Sequence, residues 1–216
     1  MLDRVDDALG WVLDVVASVD PILRMVIAGV AMLLELSVVI GLIVPGDTIV
    51  IVAAMGVTSV WEGVLLAAAA ALGSLAGETI GFGIGRWLGP HIRTSWVGRR
   101  IGEKNWDRAE RYVGRRGGLA IFLARFLPVL RQIVPLTVGM SPYSFRRFVL
   151  WAAPSCVLWA ALYVGIAATA AGSYRELAGE AQGAVFVLVG GLVLLVLVVL
   201  VIEKLISRFE KRHLGD

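Results

Sequence analysis

Charge is scarce in this chain. Of its 216 residues only 17% are Asp, Glu, Lys or Arg, while 58% are hydrophobic. An ordinary soluble domain carries about 25% charged and 45–50% apolar residues. Phe148–Tyr174 runs for 27 residues without a charge, and Ala181–Ile202 for another 22. Uncharged apolar runs of about 18 or more read as membrane-spanning helices. The shortage therefore excludes a soluble globular protein and a disordered chain. Cysteine is scarcer still: Cys156 is the only one and sits inside an apolar run, which excludes an intrachain disulfide and a secreted disulfide scaffold. Histidine occurs twice, at His91 and His213, both in polar stretches. An intramembrane hydrolase commonly needs histidine as base or nucleophile, and no Ser/His pairing or metal-ligand cluster stands inside an apolar run. No enzyme activity, metal or cofactor is expected. The pI of about 9.3 is attributed to basic cytoplasmic loops rather than to nucleic-acid binding. What remains is an all-α polytopic membrane protein.

Residues 1–20 are acidic and amphipathic. With Asp3, Asp6 and Asp7 where a signal peptide wants positive charge, they are expected to form a surface helix retained in the mature protein. Asp20-Pro21 is a helix-start signal. From Met25 to Trp61 just two charges occur, Glu35 and Asp47. That stretch is long for one span and short for two, and Pro45-Gly46 interrupts it. It predicts a re-entrant hairpin over 22–60 with its tip at Val44-Pro45-Gly46-Asp47. Broken backbone at membrane depth is tolerated only where protein or a water-filled cavity covers it. Residues 62–88 read as a span. Gly73, Gly77, Gly81, Gly85 and Gly89 recur every four residues along it and predict close helix packing.

Residues 89–116 form a cytoplasmic basic segment. Nine Lys or Arg fall between Arg86 and Arg116, and Ile101, Trp106, Ala109 and Val113 fall on one face of a helix lying on the membrane. A second broken segment follows over 117–142. It carries Arg125 and Arg131 and is interrupted at Pro128, Pro135 and Gly139. Spans over 146–171 and 183–203 and a basic tail over 204–216 complete the chain. Fifteen of the 20 Lys and Arg lie in segments that can share the cytoplasmic side, which puts the C-terminus there. The side of the N-terminus stays open, because residues 22–44 can also be drawn as a full span. The two halves, each a broken segment and a small-residue span, suggest an inverted-repeat transporter-like bundle with two facing re-entrant hairpins.

Glu35, Asp47, Arg125 and Arg131 are thus four charges at membrane depth. Each costs about 2.5–3.5 kcal/mol on insertion scales, so four unpaired charges would cost on the order of 10–14 kcal/mol. That equals the whole stability of a typical domain, about 5–15 kcal/mol. They must be paired, hydrated or both. One role is to pin the two hairpins together, acid to arginine. The other is functional. Arg125 and Arg131 offer planar donor forks suited to phosphate, and Glu35 and Asp47 suit the loading and release of a proton.

These residues carry a likeness to a known family. Glu35 lies twelve residues before Asp47 of Pro45-Gly46-Asp47. Gly77-Glu78, Gly81-Phe82 and Gly85-Arg86 follow. Arg125-Phe126-Leu127-Pro128-Val129-Leu130-Arg131 leads to Pro135 and Gly139-Met140, and Phe148 precedes Trp159. Over roughly residues 30–160 the chain resembles the DedA family of membrane proteins, which carry the SNARE-associated or VTT domain. Glu78 and Phe82 stand where Asp and Tyr are frequent, and Ala152 and Ser155 where Asn and Gly often occur.

The resemblance implies a lipid transporter in which Glu35, Asp47, Arg125 and Arg131 are essential. It implies a flippase of undecaprenyl or decaprenyl phosphate in the bacterial cytoplasmic membrane, driven by the proton motive force. The arginines would hold the phosphate and the acids exchange protons. The alternatives are a phospholipid scramblase or flippase, a cation/proton antiporter, and a non-transporting scaffold. The expected partners are the lipid substrate, the bilayer and protons, with no nucleic acid; homo-oligomerisation is left open.

Overall fold

The computed structural model describes residues 18–37, 45–88, 91–96, 102–127 and 130–177, together with 11, 15, 16 and 99. The expected span over 183–203, the basic tail over 204–216, Val44 and Pro128 lie outside the described residues, as does most of the expected surface helix over 1–20. The described residues are helical in order α1 (Pro21–Leu36), α2 (Gly46–Met55), α3 (Val60–Leu88), α4 (His91–Thr94), α5 (Glu103–Arg116), α6 (Gly118–Ala124), α7 (Leu130–Met140) and α8 (Phe145–Leu177), with no strand among them. Among the described residues two helices, α3 and α8 as far as Ser173, are long and apolar enough to cross a membrane.

The chain separates into two compact units. One contains Met1–Ala28, Asp47–Ala70 and Ala160–Asp216; the other contains Gly29–Gly46 and Ala71–Trp159. In the first, local sequence sets both helix starts. Asp20 Oδ1 accepts the Ile22 and Leu23 amides at 2.9 and 3.1 Å, and Pro21 supplies the fixed φ of a first helical position. Ser59 caps α3 by accepting the Glu62 amide at 3.2 Å. Glu62 turns back to accept the Thr58 amide at 2.9 Å and its hydroxyl at 3.0 Å. This is a capping box shifted by one residue on its return arm. The other oxygen of Glu62 takes the buried Arg24 guanidinium at 2.5 Å, so the cap also neutralises a charge inside the unit. An apolar cleft of about 500 Å³ opens in this unit beside Val60, Gly63, Val64, Ala67, Ala161 and Ala168.

In the second unit α3 is the spine, and its glycine stripe does what the spacing predicts. A Cβ at Gly73 would overlap the Gly29 carbonyl of α1, and one at Gly77 would lie 2.8 Å from the Leu33 carbonyl oxygen and the Leu36 Cβ. Lower down, a Cβ at Gly85 would overlap the Leu136 carbonyl of α7, and one at Gly139 the Phe82 carbonyl. Backbones at this separation admit only hydrogen at those positions. Phe82 closes the lower end, 4.9 Å from the Phe148 ring and 5.5 Å from the Phe145 ring, with Arg86 over its face at 5.1 Å.

Three sequence expectations need correction here. Pro135 lies inside α7 and does not end it. Its missing amide removes one helical bond, but every residue from Ile133 to Gly139 is buried, so neighbouring structure holds the turn in place. Gly139 is likewise not a break: it sits in the last turn of α7, where it allows α3 to approach. The interruption of the second broken segment instead falls after Ala124, where α6 ends and Arg125–Leu127 turn. Third, Trp106 does not face lipid. It is 2% exposed, and α5 packs along α7 and α6 within the unit. Gly117 makes the connection between α5 and α6. With φ of +55° it ends α5, donates its amide to the Val113 carbonyl at 2.8 Å, and precedes the start of α6 at Gly118.

Candidate functional site

The last turn of α1 carries Glu35, 4% exposed. The first turn of α7 carries Arg131, whose Nη2 donates to Glu35 Oε1 across 96 residues of sequence. The two side chains are 5% and 12% exposed. Gly46 lies against the same carboxylate: a Cβ there would overlap Glu35 Oε2 and stand 3.0 Å from the Ala31 carbonyl oxygen. The glycine expected at the hairpin tip thus leaves room for the acid. Pro45 precedes it and, having no amide, leaves α2 to begin at Gly46.

Arg125 sits at the turn after α6. Its Nη1 donates to Glu78 Oε1 at 2.8 Å and its Nη2 to Ser74 Oγ at 2.6 Å. Its guanidinium carbon stands 4.7 Å above the Trp159 ring. Ser74 and Glu78 are one helical turn apart on α3, so a single face presents both acceptors. Trp159 comes from α8 and is 1% exposed. Charge-assisted bonds of this kind are about twice as strong as neutral ones, and a cation over indole adds to them.

Pairing of acid with arginine, one of the two roles open to these charges, occurs between Glu35 and Arg131. Arg131 takes Glu35, but Arg125 takes Glu78. Asp47 is half-buried in the first turn of α2 and belongs to the first unit. Glu78 is the residue that sequence reasoning missed. Its signal was available: a carboxylate near the middle of a 29-residue apolar helix, with a hydroxyl one turn before it. Arg24 was missed too, standing one residue outside the apolar run that begins at Met25. Phe82 and Ala152, two of the residues that depart from the family's frequent choices, are buried. Ser155 donates its hydroxyl to the Ala152 carbonyl at 2.7 Å. Among the described residues no cluster of His, Cys, Asp and Glu is placed to hold a metal ion.

Comparison with known proteins gives this arrangement a context. The chain is 26% identical to Protein DedA of Escherichia coli K12 over 92 residues, which is 43% of this chain and 42% of that protein. It is 30% identical over 132 residues to an uncharacterized membrane protein of Synechocystis sp., 59% of each chain. It is 22% identical over 156 residues to a Lactococcus lactis protein named alkaline phosphatase-like, 68% of this chain and 73% of that one. The chain thus spans about two fifths to three fifths of the length of the first two relatives. No solved structure matches it significantly. The VTT domain model matches residues 44–169, a range holding Asp47, Ser74, Glu78, Arg125, Arg131 and Trp159, with Glu35 just before it. With more than half of its length inside that match, the chain belongs to the VTT-domain family of membrane proteins, the DedA family.

Proposed function

We propose that the protein is a transporter that moves a phosphate-headed lipid, a polyprenyl monophosphate, across the bacterial cytoplasmic membrane at the expense of the proton gradient. The observation that carries this is the pairing of Arg131 with Glu35. Each stands at a helix end beside an interruption, and each lies in one of the two segments that the sequence marks as broken. An arginine keeps its proton and binds phosphate through its fork. A carboxylate that accepts a proton loses its charge and its claim on that arginine.

The exchange follows directly. A proton entering from the side of higher proton activity adds to the Glu35 carboxylate, and the Arg131 guanidinium is then open to the lipid phosphate. On the other side the proton leaves Glu35, the carboxylate reclaims Arg131, and the phosphate is released. The arginine is paired in both states, so no unpaired charge is left at membrane depth. Asp47 supplies a second acid for the proton path, and alternation of two inverted halves gives access to each side.

The test is translocation of polyprenyl monophosphate by the purified full chain in liposomes, with and without a pH gradient. Gradient-stimulated movement of the lipid supports the proposal. Salt-driven proton flux without lipid would replace it with cation/proton antiport. Release of inorganic phosphate from the lipid would replace it with the hydrolysis suggested by the name of the Lactococcus relative.

A further inference from the structure

Arg125 and Arg131 are six residues apart and chemically identical, yet the fold treats them differently. The Arg125 side chain is 0% exposed and that of Arg131 is 12% exposed. Arg125 already spends one terminal nitrogen on Glu78 and the other on Ser74, and its face lies on Trp159. A phosphate reaching it would have to displace a carboxylate and a hydroxyl from a place without open surface. What Arg125 does hold is the corner between α6 and α7. Through Glu78 and Ser74 that corner is tied to α3, and through Trp159 it rests on α8.

The same α3 carries the parts that bring Glu35 and Arg131 together. Gly73 and Gly77 seat the end of α1 that bears Glu35, and Gly85 seats α7, which bears Arg131. The corner is the joint of that assembly. Arg131 stands at the second position of α7, so its direction depends on where the corner places the helix start. Ser74, Glu78, Arg125 and Trp159 all lie within one unit with Glu35 and Arg131.

We infer that Arg125 is a positioning residue and not a ligand of the lipid phosphate, and that Glu78, with Ser74 and Trp159, is the lock that sets the direction of Arg131. The inference rests on the reading of this protein as a phosphate-lipid transporter. It divides the two arginines by role: Arg131 meets the headgroup, and Arg125 aims it. It also separates Glu78 from the acids that exchange protons, because its partner is the enclosed arginine.

Two measurements on the detergent-solubilised full chain decide it. The first needs no ligand: thermal unfolding of Glu78→Gln, Arg125→Gln and the double variant. A lock predicts that the double variant loses no more than the worse single one. Additive losses would overturn it. The second uses a short-chain polyprenyl monophosphate as probe, with transport of the full-length lipid in liposomes beside it. Arg131→Gln should weaken probe binding at least tenfold. Glu78→Gln and Arg125→Lys should leave binding within threefold while maximal transport falls tenfold or more. Glu78→Asp, which keeps the carboxylate, should recover most of that rate. Loss of probe binding in Arg125→Lys equal to that in Arg131→Gln would make Arg125 a headgroup ligand and overturn the inference. If the wild-type protein binds no probe, the transporter reading fails, and the unfolding cycle still decides whether the lock exists.

Discussion

Glu35 and Arg131 are 96 residues apart in sequence and share a salt bridge at the meeting of two helix ends. Each comes from a segment that is apolar, interrupted and almost without other charges. A lone carboxylate or guanidinium there would be costly, and the pairing offsets part of that cost. It does so reversibly, because one partner can be neutralised by a proton and the other cannot. That asymmetry separates a switch from a simple clasp.

Replacing Glu35 by Gln keeps the shape and removes the titration. Transport by Glu35→Gln should lose its response to a pH gradient, so that the rates with and without the gradient agree within about twofold. The measurement is lipid translocation in liposomes at matched protein content. A wild-type response in the variant would assign proton coupling elsewhere.

The glycine contacts of α3 and α7 make a prediction of the opposite kind, about stability alone. Gly85→Leu or Gly139→Val would drive a side chain into a facing backbone carbonyl. Overpacking costs about 1–3 kcal/mol, occasionally more, and here the obstacle is backbone. Gly83, on the same helix, has nothing within 4 Å of a built Cβ. Gly83→Ala should therefore be neutral or stabilise by about 0.4–1 kcal/mol, since alanine limits the unfolded chain. Thermal unfolding of the three variants in one detergent checks the contrast.

These two cases show how far the sequence could be read. The helices follow from local signals: Asp20-Pro21 starts α1, Ser59 and Glu62 start α3, and the four-residue glycine period marks the face on which α1 and α7 pack. The turn at Arg125–Leu127 lies next to Pro128 of the proline-bearing motif, which is outside the described residues. Pairing was not legible. Arg125 is 47 residues from Glu78, and nothing local distinguishes that acid from Glu35 or Asp47 as its partner. Pro135 misled because a missing amide ends an exposed helix, but buried surroundings carry α7 through it. Trp106 misled because an amphipathic pattern cannot tell lipid from protein as the cover of its apolar face.

Helix starts in the first unit offer a graded test. Asp20→Ala removes acceptors for two amides and should cost about 0.5–2 kcal/mol. Glu62→Ala removes the return arm of the cap to Thr58 and also strands the Arg24 charge, whose side chain is 7% exposed. Breaking a buried pair from one side costs about 3–5 kcal/mol. Unfolding midpoints should therefore fall much further for Glu62→Ala than for Asp20→Ala. Equal shifts would mean that Arg24 is compensated by water.

In the proposed exchange Arg131 receives the lipid phosphate when protonated Glu35 lets it go. The most direct test of that exchange is polyprenyl-phosphate translocation by Arg131→Ala in liposomes, alongside the elution profile and helical content of the same preparation. The expected result is a folded protein with translocation reduced to the protein-free background. A folded Arg131→Ala protein that translocates the lipid at the wild-type rate would contradict it.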